Sequence, residues 1–157
     1  MAHAYNATIS WSRGEAVFSD GRYSRGHMWT FDGLSFPGSS SPLVVRPPLS
    51  REDAIDPEEA LVGALASCHM LFFLDFARKA GFVVDSYSDA AVGEMGPNAS
   101  GKLYVARITL NPDARFSGEK LPSAEDIAAL HHRAHEECYV GHSLRADIVI
   151  SPVLPPA

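Results

Sequence analysis

The chain has 157 residues, 46% hydrophobic and 20% charged, a size and balance that fit a single domain spanning 1–157 with a core of its own. Its 13 Lys and Arg against 19 Asp and Glu give a formal charge of −6 with seven His counted neutral. No basic stripe is therefore available to neutralise phosphates, which excludes a nucleic-acid partner. The N-terminal segment has no basic flank leading into an apolar run. The longest apolar stretch, Ala60 to Leu74, falls short of the ~20 residues a bilayer requires and is broken by Ser67, Cys68 and His69. A cytoplasmic protein with no membrane partner is expected, in a compartment where stable disulfides are rare. Two cysteines there are buried thiols, metal ligands or redox groups more often than a structural bridge.

The segment Ala4 to Phe31 reads as short strands. Tyr5, Ala7, Ile9 and Trp11 alternate with Asn6, Thr8 and Ser10, the pattern of a half-buried strand. Arg13-Gly14 and Asp20-Gly21 are turns, and His27 to Phe31 is a further strand closed by Asp32-Gly33. Phe36 to Pro57 holds four prolines before its last residue and the run Ser39 to Ser41, and reads as a long loop. A helix comes next. Asp56 is a good N-cap, Pro57 suits the first helical position, Glu58 and Glu59 suit the positive end of the helix dipole, and Gly81 marks the stop. Between them Leu61, Val62, Leu65, Met70, Leu71, Phe72, Phe73, Leu74 and Phe76 leave almost no polar face, so the helix belongs in a core or an interface.

Val83 to Val92 and Leu103 to Leu110 read as strands around the turn-rich Gly96 to Gly101. Ser123 opens a second helix, with Asp126 in capping-box position. Ile127, Leu130, Ala134 and Cys138 share one face of it, and Leu144 to Ile150 alternates as a last strand. Strands segregated from two helices give an α+β fold.

Cys68 lies in the middle of the most apolar helix. A small buried hydrophobe is its plain reading, and a reactive thiol would need a cation or a donor nearby. His69 is adjacent in sequence, but neighbours in a helix do not share a face, so its side chain is a poor activator. Cys138 ends the second helix on an equally apolar face. Two such faces pack together, and adjacent thiols then suggest a redox couple or a metal site. His131 and His135 are i,i+4 with Cys138 three further on, a set that could line one face and bind zinc.

The run Asp56-Pro57-Glu58-Glu59-Ala60-Leu61-Val62-Gly63-Ala64-Leu65-Ala66-Ser67-Cys68-His69 resembles the first-cysteine signature of the OsmC/Ohr proteins. His135-Glu136-Glu137-Cys138-Tyr139-Val140 is similar to that family's second-cysteine motif, and Trp11, Gly14 and Phe31-Asp32-Gly33 are similar to its opening sheet. The resemblance implies an intertwined homodimer, with antiparallel sheets packed around long central helices. It also implies a peroxidase that reduces organic and inorganic hydroperoxides with no bound cofactor or metal. By the same resemblance Cys68 is the attacking thiol, Cys138 resolves it as a disulfide that an external dithiol reopens, and an Arg held by a Glu activates the first thiol.

Glu58 matches that Glu. Ten residues of straight helix place Glu58 about 15 Å from Cys68 along the axis, so it would act across a dimer interface; capping is its plain alternative. For the Arg, Arg13, Arg22 and Arg25 all qualify. Arg25 is favoured because it enters an apolar strand, although the position two residues before Phe31-Asp32-Gly33, where one arrangement of the family places the Arg, is Trp29 here. Two other functions stay open: a noncatalytic relative that binds a small apolar ligand, and a metal-binding protein using His131, His135 and Cys138.

Overall fold

Asp32 and Gly33 both adopt positive φ, 37° and 90°, the backbone a two-residue Asp-Gly hairpin turn demands. In a computed structural model, which describes residues 3–154, this turn joins β2 (His27–Phe31) to β3 (Leu34–Gly38). With β1 (Thr8–Ser10) they form an antiparallel sheet in the order β1-β2-β3. Trp29 and Phe36 are cross-strand partners with ring centroids 6.1 Å apart, and Phe31 stacks on Phe36 at 5.7 Å. Two expectations need correction. The alternation around Ile9 yields a strand of only three residues, and Tyr5, Ile9 and Trp11 are all exposed. The stretch read as a loop from Phe36 begins inside β3, and the irregular backbone starts only after Gly38. That irregular part is tied back by hydrogen bonds from Ser39 N–H to Ile55 O (3.0 Å) and from Ile55 N–H to Pro37 O (3.3 Å).

The expected helix is α1 (Pro57–Lys79). The Asp56 carboxylate accepts from the Glu59 N–H at 2.8 Å, while Glu59 accepts from the Asp56 N–H at 3.2 Å, a reciprocal cap. Gly81 ends the run at φ 82°, a conformation costly for any side chain. By length and composition α1 is apolar enough to cross a membrane, a longer apolar element than the sequence stretch suggested. Its Leu65, His69, Phe73, Phe76 and Ala77 are nevertheless buried within the protein.

The chain separates into two compact units, one ending at Ala60 and one beginning at Leu61. In the second, β4 (Val83–Asp89) pairs with β7 (Pro112–Ser117), and β5 (Val92–Pro97), β6 (Leu103–Leu110) and β8 (Asp147–Ile150) make a sheet in the order β5-β6-β8. All pairings are antiparallel except β6 with β8. The single strand expected over Val83 to Val92 is thus two strands with a corner between them. The Asp89 carboxylate fixes that corner by accepting from the Asn111 N–H at 2.7 Å, and the Asn111 side chain donates to Ala90 O at 2.9 Å. β7 escaped the sequence reading because Asn111-Pro112 looks like a turn; the proline sits at the first residue of the strand, where a missing N–H does least harm.

The helix α2 (Ala124–Glu137) starts at the expected capping box: Ser123 accepts from the Asp126 N–H at 3.1 Å and Asp126 from the Ser123 N–H at 2.9 Å. A single turn, α3 (Tyr139–His142), comes directly after it. The core has two parts. Phe73, Phe76, Ala77 and Phe82 of one stretch meet Leu130 and Ala134 of α2, and Leu65 meets Ile108, Leu110 and Cys138. The fold is α+β, as the sequence pattern requires.

Candidate active site

Cys68 and Cys138 are both free thiols, and Cys68 packs against the core cluster that contains Cys138. Cys68 is half-buried in the middle of α1, whereas Cys138 is only 1% exposed. Cys138 sits where α2 ends and α3 begins. Its own N–H reaches back to His135 O, its carbonyl accepts from the His142 N–H at 3.0 Å, and its sulfur accepts from the Gly141 N–H at 3.4 Å. Burial first, and the neighbouring Cys68 thiol second, together push the Cys138 thiol up to about 11 against the opposing pull of the Gly141 N–H. Cys138 is therefore a protonated thiol at neutral pH. It is a poor first nucleophile toward a peroxide; to resolve a sulfenic acid it must give up its proton as its sulfur attacks, and that proton leaves with the sulfenic hydroxyl as water.

His69 does not turn to Cys68. Its Nε2 lies 2.9 Å from His131 Nδ1, with both rings buried and nearly coplanar, and Phe73 stacks on His131 at 4.2 Å. Burial holds both imidazoles down at about 4. His135 adds to the effect on His69, and His69 adds to the effect on His131. The sequence reading missed this pair. Its signal was present: His69 lies four residues from Leu65 and from Phe73, and His131 four from Ile127, so each sits on a buried helical stripe. The zinc set is corrected by the same contacts. His131 is engaged with His69, and His135 lines a separate cavity of about 380 Å³ with Glu136, His142 and Asp147. Among the described residues no group of three or more His, Cys, Asp and Glu gathers to hold a metal ion.

In the first unit, Trp11, Phe18, Tyr23, Arg25, His27, Ser40 and their neighbours line an open, shallow cavity of about 470 Å³. Phe18 stacks on Tyr23 at 4.9 Å and Trp11 meets Tyr23 edge-on at 5.2 Å. Of the three candidate arginines only Arg25 lines this cavity; Arg13 is held by Ala16 O at 2.7 Å within its own turn. The Arg25 guanidinium lies 4.1 Å from the Tyr23 ring centre and donates to the carbonyls of Gly21 and Tyr23. Backbone carbonyls and an aromatic face therefore fix it, where the sequence resemblance implied a carboxylate. His27 is structural. Its Nε2 accepts from the Trp29 indole N–H at 2.7 Å, so Nδ1 carries the proton and donates to Arg25 O at 2.8 Å. The Ser40 hydroxyl is buried beside the cavity without a partner. Glu58 makes no capping bond, because Glu59 performs that task, and among the described residues no cation pairs with Glu58 in an ion pair.

A search of curated proteins finds no match. Among solved structures, an OsmC-like protein of unknown function from Vibrio cholerae is 42% identical, with 97% of this chain and 100% of that chain covered and a TM-score of 0.95. Two further likenesses show the fold. An organic hydroperoxide resistance protein from Elizabethkingia anophelis is 14% identical over 100% of this chain and 99% of its own, with a TM-score of 0.71. One from Legionella pneumophila is 15% identical over 99% of each chain, with a TM-score of 0.64. A family model described as OsmC-like protein matches residues 50–152, which carry both thiols and the histidine pair, and the chain belongs to that family.

Proposed function

We propose that the chain is a cysteine-based hydroperoxide reductase in which Cys68 attacks and Cys138 resolves. The observation that carries this reading is the packing of two free thiols in one core, one half-buried and one sealed from solvent. The Cys68 sulfur attacks one peroxide oxygen and the O–O bond breaks. The second oxygen takes a proton and leaves as alcohol or water, and Cys68 becomes a sulfenic acid. Cys138 then displaces the sulfenic hydroxyl, water leaves, and a disulfide remains that an external dithiol reduces by exchange. None of these steps requires a cofactor. The names of the Elizabethkingia and Legionella proteins support hydroperoxides as the substrate class.

Arg25 and Glu58 take the activating roles in a homodimer, with Arg25 stabilising thiolate and departing oxygen. Glu58 is left free for this by the cap that Glu59 provides. A cytoplasmic setting agrees with two cysteines kept as thiols. A second reading, a noncatalytic binder of a small apolar ligand, is favoured by the aromatic cavity of about 470 Å³ with its unpartnered Ser40 hydroxyl.

Reduced protein mixed with a slight excess of an organic hydroperoxide separates the two. Rapid loss of both thiols with a Cys68–Cys138 link seen by mass spectrometry, absent in Cys68→Ser, is the expected result. Thiols unchanged after long exposure would end the peroxidase reading in favour of the binder.

A further inference from the structure

Cys68 and His69 are consecutive on α1, and His131 lies about two turns before Cys138. Among the described residues the 2.9 Å bond between His69 and His131 is the one side-chain hydrogen bond that joins α1 to α2. The other contacts between the two helices are apolar packing, such as Phe76 with Leu130 and Ala134, and the Arg133 guanidinium 4.2 Å from the Phe76 ring centre, which specify position less sharply than a hydrogen bond does. A hydrogen bond between two coplanar rings weakens steeply with distance and angle. Disulfide formation is equally exacting. It needs Cβ atoms about 3.8 Å apart, and a slip of one residue along a helix is already about 1.5 Å.

We propose that the His69–His131 hydrogen bond is a positioning device for the thiol pair, fixing the register of α1 on α2 so that Cys68 and Cys138 are held where a disulfide forms. His69 is one residue from Cys68, so any rotation that withdraws Cys68 also breaks this bond. The two imidazoles must be one donor and one acceptor. An amide at each position can take the same parts: Gln places a nitrogen near the site of imidazole Nε2, and Asn near that of Nδ1.

The inference rests on the redox reading of the thiols, and the test keeps the two apart by using no peroxide. The whole chain is equilibrated in glutathione buffers. There Cys68 and Cys138 give up two electrons and two protons as their S–S bond forms, and glutathione disulfide is reduced to two glutathione molecules. His131→Phe keeps a ring against Phe73 and loses the hydrogen bond. It is expected to lower the equilibrium constant for the intramolecular disulfide at least tenfold, about 30 mV in potential. The double variant His69→Gln with His131→Asn is expected to stay within threefold of wild type. Urea unfolding of the reduced proteins reports the stability that an unpaired, buried His69 nitrogen costs His131→Phe; a merely structural role stops there, because a cost shared by the folded reduced and folded oxidised states does not move the disulfide constant. A wild-type link with an unchanged constant in His131→Phe would overturn the inference alone, whereas a wild type that forms no intramolecular link would overturn the redox reading beneath it. Should His131→Phe fail to fold, His69→Gln decides: it retains the bond, and a tenfold loss in it would overturn the proposal.

Discussion

At Gly38 a single methyl group would collide with the Trp29 indole nitrogen and stand 2.7 Å from His27 Nε2. No side-chain adjustment clears both, because Trp29 and His27 are bound to each other and stacked between neighbours. Gly38→Ala is therefore expected to break the Trp29–His27 bond, shift the tryptophan emission and cost about 1–3 kcal/mol in urea unfolding. In the sequence Gly38 falls inside the stretch read as a loop, because its role depends on a ring from the paired strand. The same holds for Arg25. Its choice among three arginines rested on local polarity; that it lines the aromatic cavity and is anchored by two carbonyls depends on how residues 21–25 curl.

At the scale of elements, α1, α2 and β6 were legible from end to end, because caps and periodicity are local properties of the chain. What escaped was set by distant partners: the corner that divides β4 from β5 is held by Asn111, and the place of β7 is set by its pairing with β4. The pairing of His69 with His131 was hidden for the same reason. α1 also shows a surface that its own periodicity leaves open. Ala64, Ser67 and Leu71 share one side and are exposed, Leu71 by 60%. A second copy of the chain covers this side in the dimer proposed above. Leu71→Lys, which keeps a helix-forming residue and places a cation four before Asp75, is expected to convert dimer to monomer in sedimentation velocity with the helical circular dichroism unchanged. A wild type that sediments as a monomer would count against the dimer.

For the whole molecule, acid stability is governed by the histidine pair. Burial holds both imidazoles at about 4 in the folded chain, below the ordinary 6.5 they regain on unfolding. The unfolded chain thus binds more protons between those values. Stability is full above about pH 6.5 and falls as pH drops toward 4, by up to about 1.4 kcal/mol per pH unit for each histidine. Urea midpoints measured from pH 7.5 to 4 are expected to decline over this window in wild type and to decline less in the Gln/Asn double variant, which has no imidazole to protonate there. A net charge of −6 at neutral pH would by itself favour the opposite trend, since mild acid relieves repulsion between carboxylates. A fall that the double variant does not share therefore identifies the buried pair as the dominant group.

Cys138 closes one helix and opens the next, with its sulfur as the acceptor for the Gly141 amide. The residue is backbone punctuation as well as chemistry, so the choice of a redox-silent control is not neutral. Alanine would delete the thiol and the cap together and confound lost chemistry with a frayed helix junction. Serine, among the preferred residues for this capping task, removes the redox function and leaves the punctuation standing.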